Sequence, residues 1–149
     1  MTARAPRRQE RTFAFKVLYG LSFTTEATSS IEDLARDFLQ SPDRPENQET
    51  CSGFAWELVR GVWEQQKAID DGLARLSDNW RVERMGRVEL TILRLAIFEL
   101  ACRKDVPPKV VLNEAIELSK LFGDEKSRSF VNGLLDAAAK AHEAGTLLV

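Results

Sequence analysis

Arg7, Arg8 and Arg11 crowd into RAPRRQER at the start of the chain, and the turns that follow, TFAFKVLYG, are apolar and aromatic. Residues 1–16 hold Arg4, Arg7, Arg8, Arg11 and Lys16 against Glu10, a local +4 in a chain of formal charge −2, so the remainder sums to −6. An asymmetry of this kind marks a basic arm or helix end that meets an anionic partner. Cations at a helix N-terminus also oppose the macrodipole, at a cost of a few tenths of a kcal/mol each. An anion that neutralises them would offset that cost; the plain alternative is solubility. A second cluster, Lys126, Arg128 and Phe130, sets two cations and an aromatic ring close together, and Lys109 follows a proline turn. Phe130 can equally open an apolar stripe with Val131, Leu134 and Leu135. Tyr19 has two open readings, a ring that stacks on an unpaired base or one that caps the core with its hydroxyl in water.

Other chemistry finds little support. His142 is the single histidine, placed as a solvated helix-end residue. Cys51 and Cys102 lie far apart inside apolar helical patterns and are expected as buried free thiols. One histidine and two separated cysteines cannot make a typical structural zinc site. No phosphate-cradling loop or dinucleotide fingerprint occurs. No catalytic set, metal or cofactor is therefore expected. The N-terminus lacks the apolar run of a signal peptide. The most apolar segment, VELTILRLAIFELACR, is interrupted by Glu89, Arg94 and Glu99, so it is not expected to span a membrane. A cytoplasmic protein is the default.

The elements that must position these residues are helical. Phe13, Ala14, Val17, Leu18 and Leu21 recur at three-and-four spacing, predicting a helix from Pro6 at its first position to about Phe23. Ser29 with Glu32 fits a capping box before the stripe Ile31, Leu34, Ala35, Phe38 and Leu39. SPDRPENQ breaks the pattern. From about Glu49, Cys51 to Val62 and then Ile69, Leu73 and Leu76 predict one long helix or two joined near Gly61, ended by SDNW. Residues 87–103 carry two apolar stripes, one with Leu93 and Ile97 and one with Ile92 and Leu95, as a helix packed on both sides does. Pro107 and Pro108 start another helix that stops at Gly123, and DEKSRS leads into a last one from Phe130. No segment alternates with period two. The predicted fold is all-α, about seven helices in two small bundles sharing a central helix. It forms one domain over residues 1–149, with subdomains 1–79 and 80–149.

Within this pattern, PPKVVLNEAIELSKLFGDEKSRSFVNGLLDAAAK resembles the signature region of the NusB family of bacterial transcription antitermination factors. The resemblance lies in Pro107, Lys109, Val110, Asn113-Glu114-Ala115, Leu118, Lys120, Phe122-Gly123 and Phe130-Val131-Asn132-Gly133. It extends back through LRLAIFEL, residues 93–100, to Arg7, Arg8, Arg11, Leu18 and Tyr19. The resemblance implies a fold of two helical bundles and a factor that binds the boxA element of ribosomal RNA leader transcripts. It further implies that the chain acts jointly with NusE, a ribosomal protein, and with other Nus factors and RNA polymerase in an antitermination complex. Homodimers occur among such proteins.

On that basis the RNA-binding candidates are Arg7, Arg8, Arg11, Tyr19, Lys109, Lys126, Arg128 and Phe130, because single-stranded RNA is read by charge combined with stacking. Gln9 and Glu10 interrupt the basic run, which weakens its electrostatic pull. Glu83 and Glu89 are, by resemblance, candidates for the NusE-docking face; as plain residues they are helix-start acids favoured by the dipole. Asn113, Glu114 and Asn132 are expected to make hydrogen bonds between helices. Two other functions compete. One is the NusB-like domain that precedes the catalytic domain of certain ribosomal RNA cytosine methyltransferases, which would need a nucleotide-binding domain after Val149. The other is a pure protein-interaction module with an incidental basic segment.

Overall fold

The computed structural model describes residues 6–24, 28–77 and 84–148. They form six α-helices: α1 (Arg7–Leu21), α2 (Ile31–Leu39), α3 (Gly53–Leu76), α4 (Arg87–Cys102), α5 (Pro108–Phe122) and α6 (Glu125–Ala144). No strand occurs among the described residues. The all-α expectation holds, with six helices where about seven were expected. Two compact units divide the chain, residues 1–61 and 62–149. The division falls inside α3 rather than at SDNW.

In the first unit the apolar stripe of α1 buries Phe13, Ala14, Val17 and Leu18, and Leu34, Phe38, Phe54, Trp56 and Leu58 are buried from α2 and α3. Its aromatic centre is Phe38, whose ring centroid stands 5.0 Å from that of Phe13 and 5.1 Å from that of Trp56. Tilted and edge-on pairs at this separation add to plain area burial. Pro6 is the N-cap of α1, one position before the place expected for it. The cap of α2 also shifts by one residue. Ser30 Oγ accepts from Asp33 N (3.1 Å), and the Asp33 carboxylate accepts in return from Ser29 N and Ser29 Oγ. Asp33 thus performs the reciprocal task assigned to Glu32, because its shorter side chain lies at the third helical position.

In the second unit α4 packs against both α5 and α6, which also pack on each other. Leu93, Ile97 and Leu100 of one stripe and Ile92, Leu95 and Ala96 of the other are all buried, as a doubly apolar helix requires. Arg94, the cation in the middle of α4, points its guanidinium at Asp70 of α3 in a two-pronged bond, both contacts 2.8 Å. Further along α3, a Cβ at Gly72 would stand 2.9 Å from the carbonyl oxygen of Leu147, so the missing side chain lets the buried C-terminal turn lie against the helix. Within α3 the non-helical backbone falls at Gln65, not Gly61.

Three expectations fail for one reason, the helix face on which a residue falls. Asn113 and Asn132 are exposed. The inward faces of α5 and α6 are made instead by Val111, Ala115 and Leu118 and by Val131, Leu134, Leu135 and Ala138. Cys102, the last residue of α4, is likewise exposed, while Cys51 is half-buried and lies 3.6 Å from the Ala35 carbonyl. The structure also starts α6 at Glu125, with Asp124 as its cap, so DEKSRS is not a leading loop but the first turns of the helix.

These assignments predict a contrast. Ile97→Ala should cost about 2–5 kcal/mol, as cavity-forming core truncations do, and Asn132→Ala less than about 0.5 kcal/mol, as exposed substitutions do. Urea denaturation of both variants checks it, and similar losses for the two would mean that the faces are assigned wrongly.

Candidate nucleic-acid interface

The first two turns of α1 carry Arg7 and Arg8 exposed and Arg11 buried at 4% exposure. Arg7 and Arg11 are one turn apart on the same face, and both bring their guanidinium groups to the ring of Phe54 in α3, at 4.5 and 4.9 Å from its centroid. A ring face attracts a cation through its quadrupole, more strongly when water is excluded. Phe54 therefore offsets part of the cost of gathering positive charge where the helix dipole opposes it. Arg11 is thus placed as a packing residue, and Arg7 and Arg8 as the cations presented outward.

Glu10 does not dilute this charge at the surface as the sequence suggested. It is buried, and its Oε1 stands 3.7 Å from where a Cβ on Gly53 would be. Gly53 opens α3 with φ of 83°, a left-handed conformation that glycine adopts without strain. The carboxylate accordingly lies at the positive end of the α3 dipole, where an acid is favoured.

Tyr19 lies in a ladder of rings at four-residue spacing. It stacks on Phe15 at 5.8 Å with an interplanar angle of 12°, and meets Phe23 edge-on at 5.1 Å. Phe15 is buried, Tyr19 half-buried and Phe23 56% exposed. One face of the tyrosine ring is thus taken up by protein. Phe23 was absent from the sequence candidates, although the 15–19–23 spacing was there to signal it.

In the second unit Lys126 is exposed and Arg128 and Phe130 half-buried, all in the first two turns of α6. Asp124 caps this helix, its Oδ1 accepting from Ser127 N at 2.8 Å. Ser127 Oγ in turn donates to Glu89 Oε1 of α4 at 2.9 Å. Glu89 is half-buried and spends its carboxylate inside the unit, fixing the start of α6 to α4. Glu83 lies outside the described residues. Lys109 is exposed in the first turn of α5, with α5 itself, about 20 Å of helix at 1.5 Å per residue, between it and the turn into α6. Lys126 and Arg128 are grouped, and Lys109 is not with them.

Among the described residues no group of His, Cys, Asp and Glu is placed to hold a metal ion. Desolvation pushes both thiols up from their ordinary value, away from the reactive thiolate. No helix of the described residues is long and apolar enough to cross a membrane.

An all-helical protein with cations at the exposed starts of α1 and α6 is the class that fold and surface define. The chain belongs to the NusB family, whose sequence profile matches residues 8–140. Its relatives include the transcription antitermination protein NusB of Desulfovibrio desulfuricans, 57% identical across 96% of this chain and 90% of that protein. The protein of the same name from Oleidesulfovibrio alaskensis is 54% identical across 95% and 92%. Among solved structures, T. maritima NusB superposes with a TM-score of 0.78 at 34% identity, covering 94% of both chains. A crystal structure of the antitermination factors NusB and NusE in complex with double-stranded RNA gives 0.74 at 28% identity, covering 91% of this chain and 96% of that one.

The capping acids yield a pH prediction. The bond from Ser127 N–H, followed by the one from its side chain, holds the Asp124 carboxyl below its ordinary 3.8. A lowered carboxyl contributes stability that is complete above its unfolded-state value and is lost as pH falls through the folded-state value. Asp124→Asn should therefore be less stable than the parent near neutral pH, with the gap closing in acid below 3.8. Thermal unfolding across that range reads the effect. A gap that stays constant would show that the charge of Asp124 contributes nothing.

Proposed function

We propose that this chain is an antitermination factor that binds the boxA element of ribosomal RNA leader transcripts together with NusE, and so supports transcription of ribosomal RNA operons. Binding and recruitment are the whole of the role, with no chemical step, and it is performed in the cytoplasm alongside RNA polymerase and other Nus factors. The observation that carries the reading is the start of α1, where exposed Arg7 and Arg8 flank an Arg11 packed on Phe54. Family membership and the NusB–NusE–RNA neighbour support it. In this reading Arg7 and Arg8 hold phosphates, Arg11 sets their position, and Lys126 and Arg128 supply further cations with Phe130 beside them. Lys109 is a peripheral cation. For NusE the proposed docking acid is Glu83, while Glu89 acts indirectly by holding α6 through Ser127.

A salt titration tests the RNA reading. Affinity for a single strand falls with salt at a log–log slope of about −0.7 per neutralised phosphate. Replacing Arg7 and Arg8 with alanine should flatten the slope for a boxA RNA by about 1.4 on that rule. Parallel lines for parent and variant would remove the start of α1 from the interface. Arg11→Ala should act differently, lowering the unfolding free energy by about 0.5–2 kcal/mol as its contact with Phe54 is lost. A fully stable Arg11→Ala protein would mean that the packing role is misassigned.

For the protein partner, Glu83→Lys should weaken capture of purified NusE without changing thermal stability. Unaltered capture would take Glu83 out of the docking face.

A further inference from the structure

The aromatic ladder on α1 lines up with one of the two exposed arginines. At 3.6 residues per turn, Arg8, Thr12, Phe15, Tyr19 and Phe23 fall within about 80° of one another around the helix. Exposure along this stripe has a clear order. Arg8 is exposed at one end, Phe15 is buried, Tyr19 is half-buried, and Phe23 is 56% exposed at the other end. Phe23 keeps its place although it lies beyond the last helical residue. Ser22 retains right-handed helical backbone, with φ of −65° and ψ of −16°. Phe23 N then donates to Gly20 O at 3.2 Å, and the ring meets Tyr19 edge-on. The ring is therefore held in position by its neighbours while the residue stays 56% exposed, so that an aromatic surface is presented to solvent at a fixed place.

Resting on the RNA reading above, we propose that Phe23 is a base-stacking residue at the far end of a single-strand track that begins at Arg8. The occupant is an unpaired base of the strand whose phosphate Arg8 holds. A guanidinium at one end and a ring at the other suit the two chemical halves of a nucleotide, and a base can stack on an aromatic side chain whatever its identity. Arg8 and Phe23 are separated by about 22 Å along the axis at 1.5 Å per residue. At the roughly 3.4 Å per nucleotide of a stacked strand, this admits at most about six nucleotides between them. Phosphate contacts carry no sequence information. A ring at a fixed distance from a phosphate site adds a demand for an unpaired base at that point, and so selects single-stranded over fully paired RNA.

The test combines Phe23 variants with RNA lacking one base. Phe23→Ala should weaken boxA RNA binding roughly five- to hundredfold, the range for loss of one base–ring stack, with the salt slope unchanged because no phosphate contact is lost. Phe23→Trp should bind like the parent, and circular dichroism should show the helical content of both variants unaltered. Abasic sites introduced one at a time should reveal one position whose loss weakens the parent and leaves Phe23→Ala unaffected. Phe23→Ala that binds as tightly as the parent, or that responds equally to every abasic site, would overturn the proposal while leaving the RNA reading intact. A parent that fails to bind boxA RNA even with NusE would overturn both. Sedimentation that shows a parent dimer dissociated by Phe23→Ala would assign the ring to a second copy of the chain and overturn the stacking role.

Discussion

Burial of the Arg11 guanidinium strips away most of its hydration, and a cation so placed persists only where other groups meet its charge. The Phe54 ring is one such group, and it reaches Arg7 as well. This contact also fixes the rotation of α1. With Phe13, Ala14, Val17 and Leu18 turned inward, Arg8 and Tyr19 stand about 120–140° around the helix from Ala14, which is fully buried. The direction in which the basic helix start faces is thus set in the interior, by aromatic residues of α2 and α3. The exposed cations and rings inherit their alignment from it.

The second unit solves a related problem by different means. Its cations at the start of α6 are held through a chain of hydrogen bonds, from the Asp124 cap to Ser127 and from Ser127 to Glu89 of α4. An acid at the cap favours the helix dipole and reduces the local excess of positive charge that Lys126 and Arg128 bring. In α1 the cap position holds Pro6, which offers no side-chain acceptor, and the acid of the first turn, Glu10, is buried beside the start of α3. The two helix starts therefore differ in net character. That of α1 is strongly cationic, and that of α6 is balanced.

Much of this was legible in the sequence because it depends on local periodicity. The double apolar stripe of α4, the stop at Gly123 and the breaker SPDRPENQ all follow from residue spacing, and the helices were anticipated within a few residues except at the start of α6, which lies at Glu125 rather than Phe130. The family motifs reached further, to the RNA-binding class. What escaped depends on neighbours distant in sequence. Nothing near Arg11 announces that Phe54, more than forty residues on, will cover it, so an inward arginine and an outward one looked alike. Asn113 and Asn132 sit among apolar residues in sequence yet fall on the outer face of their helices. At 100° per residue, a position one step from a buried one can already be outside. Ser29 and Ser30 are chemically equal candidates for a cap, and only the backbone chooses between them.

The charge distribution constrains how such a protein can select its RNA. A chain of net charge −2 gains little from indiscriminate attraction to polyanions, since repulsion from its acidic remainder opposes the local +4 at the start. On the proposed reading, the phosphate contacts of Arg7 and Arg8 at the head of α1 steer and orient a strand without holding it strongly. The remaining affinity must come from contacts that do not scale with charge, and those available on α1 are aromatic. Stacking survives physiological salt where phosphate contacts weaken. A weakly charged protein with an exposed ring set at a distance from its arginines therefore trades raw affinity for discrimination, and a requirement for a second protein on the RNA is the natural consequence.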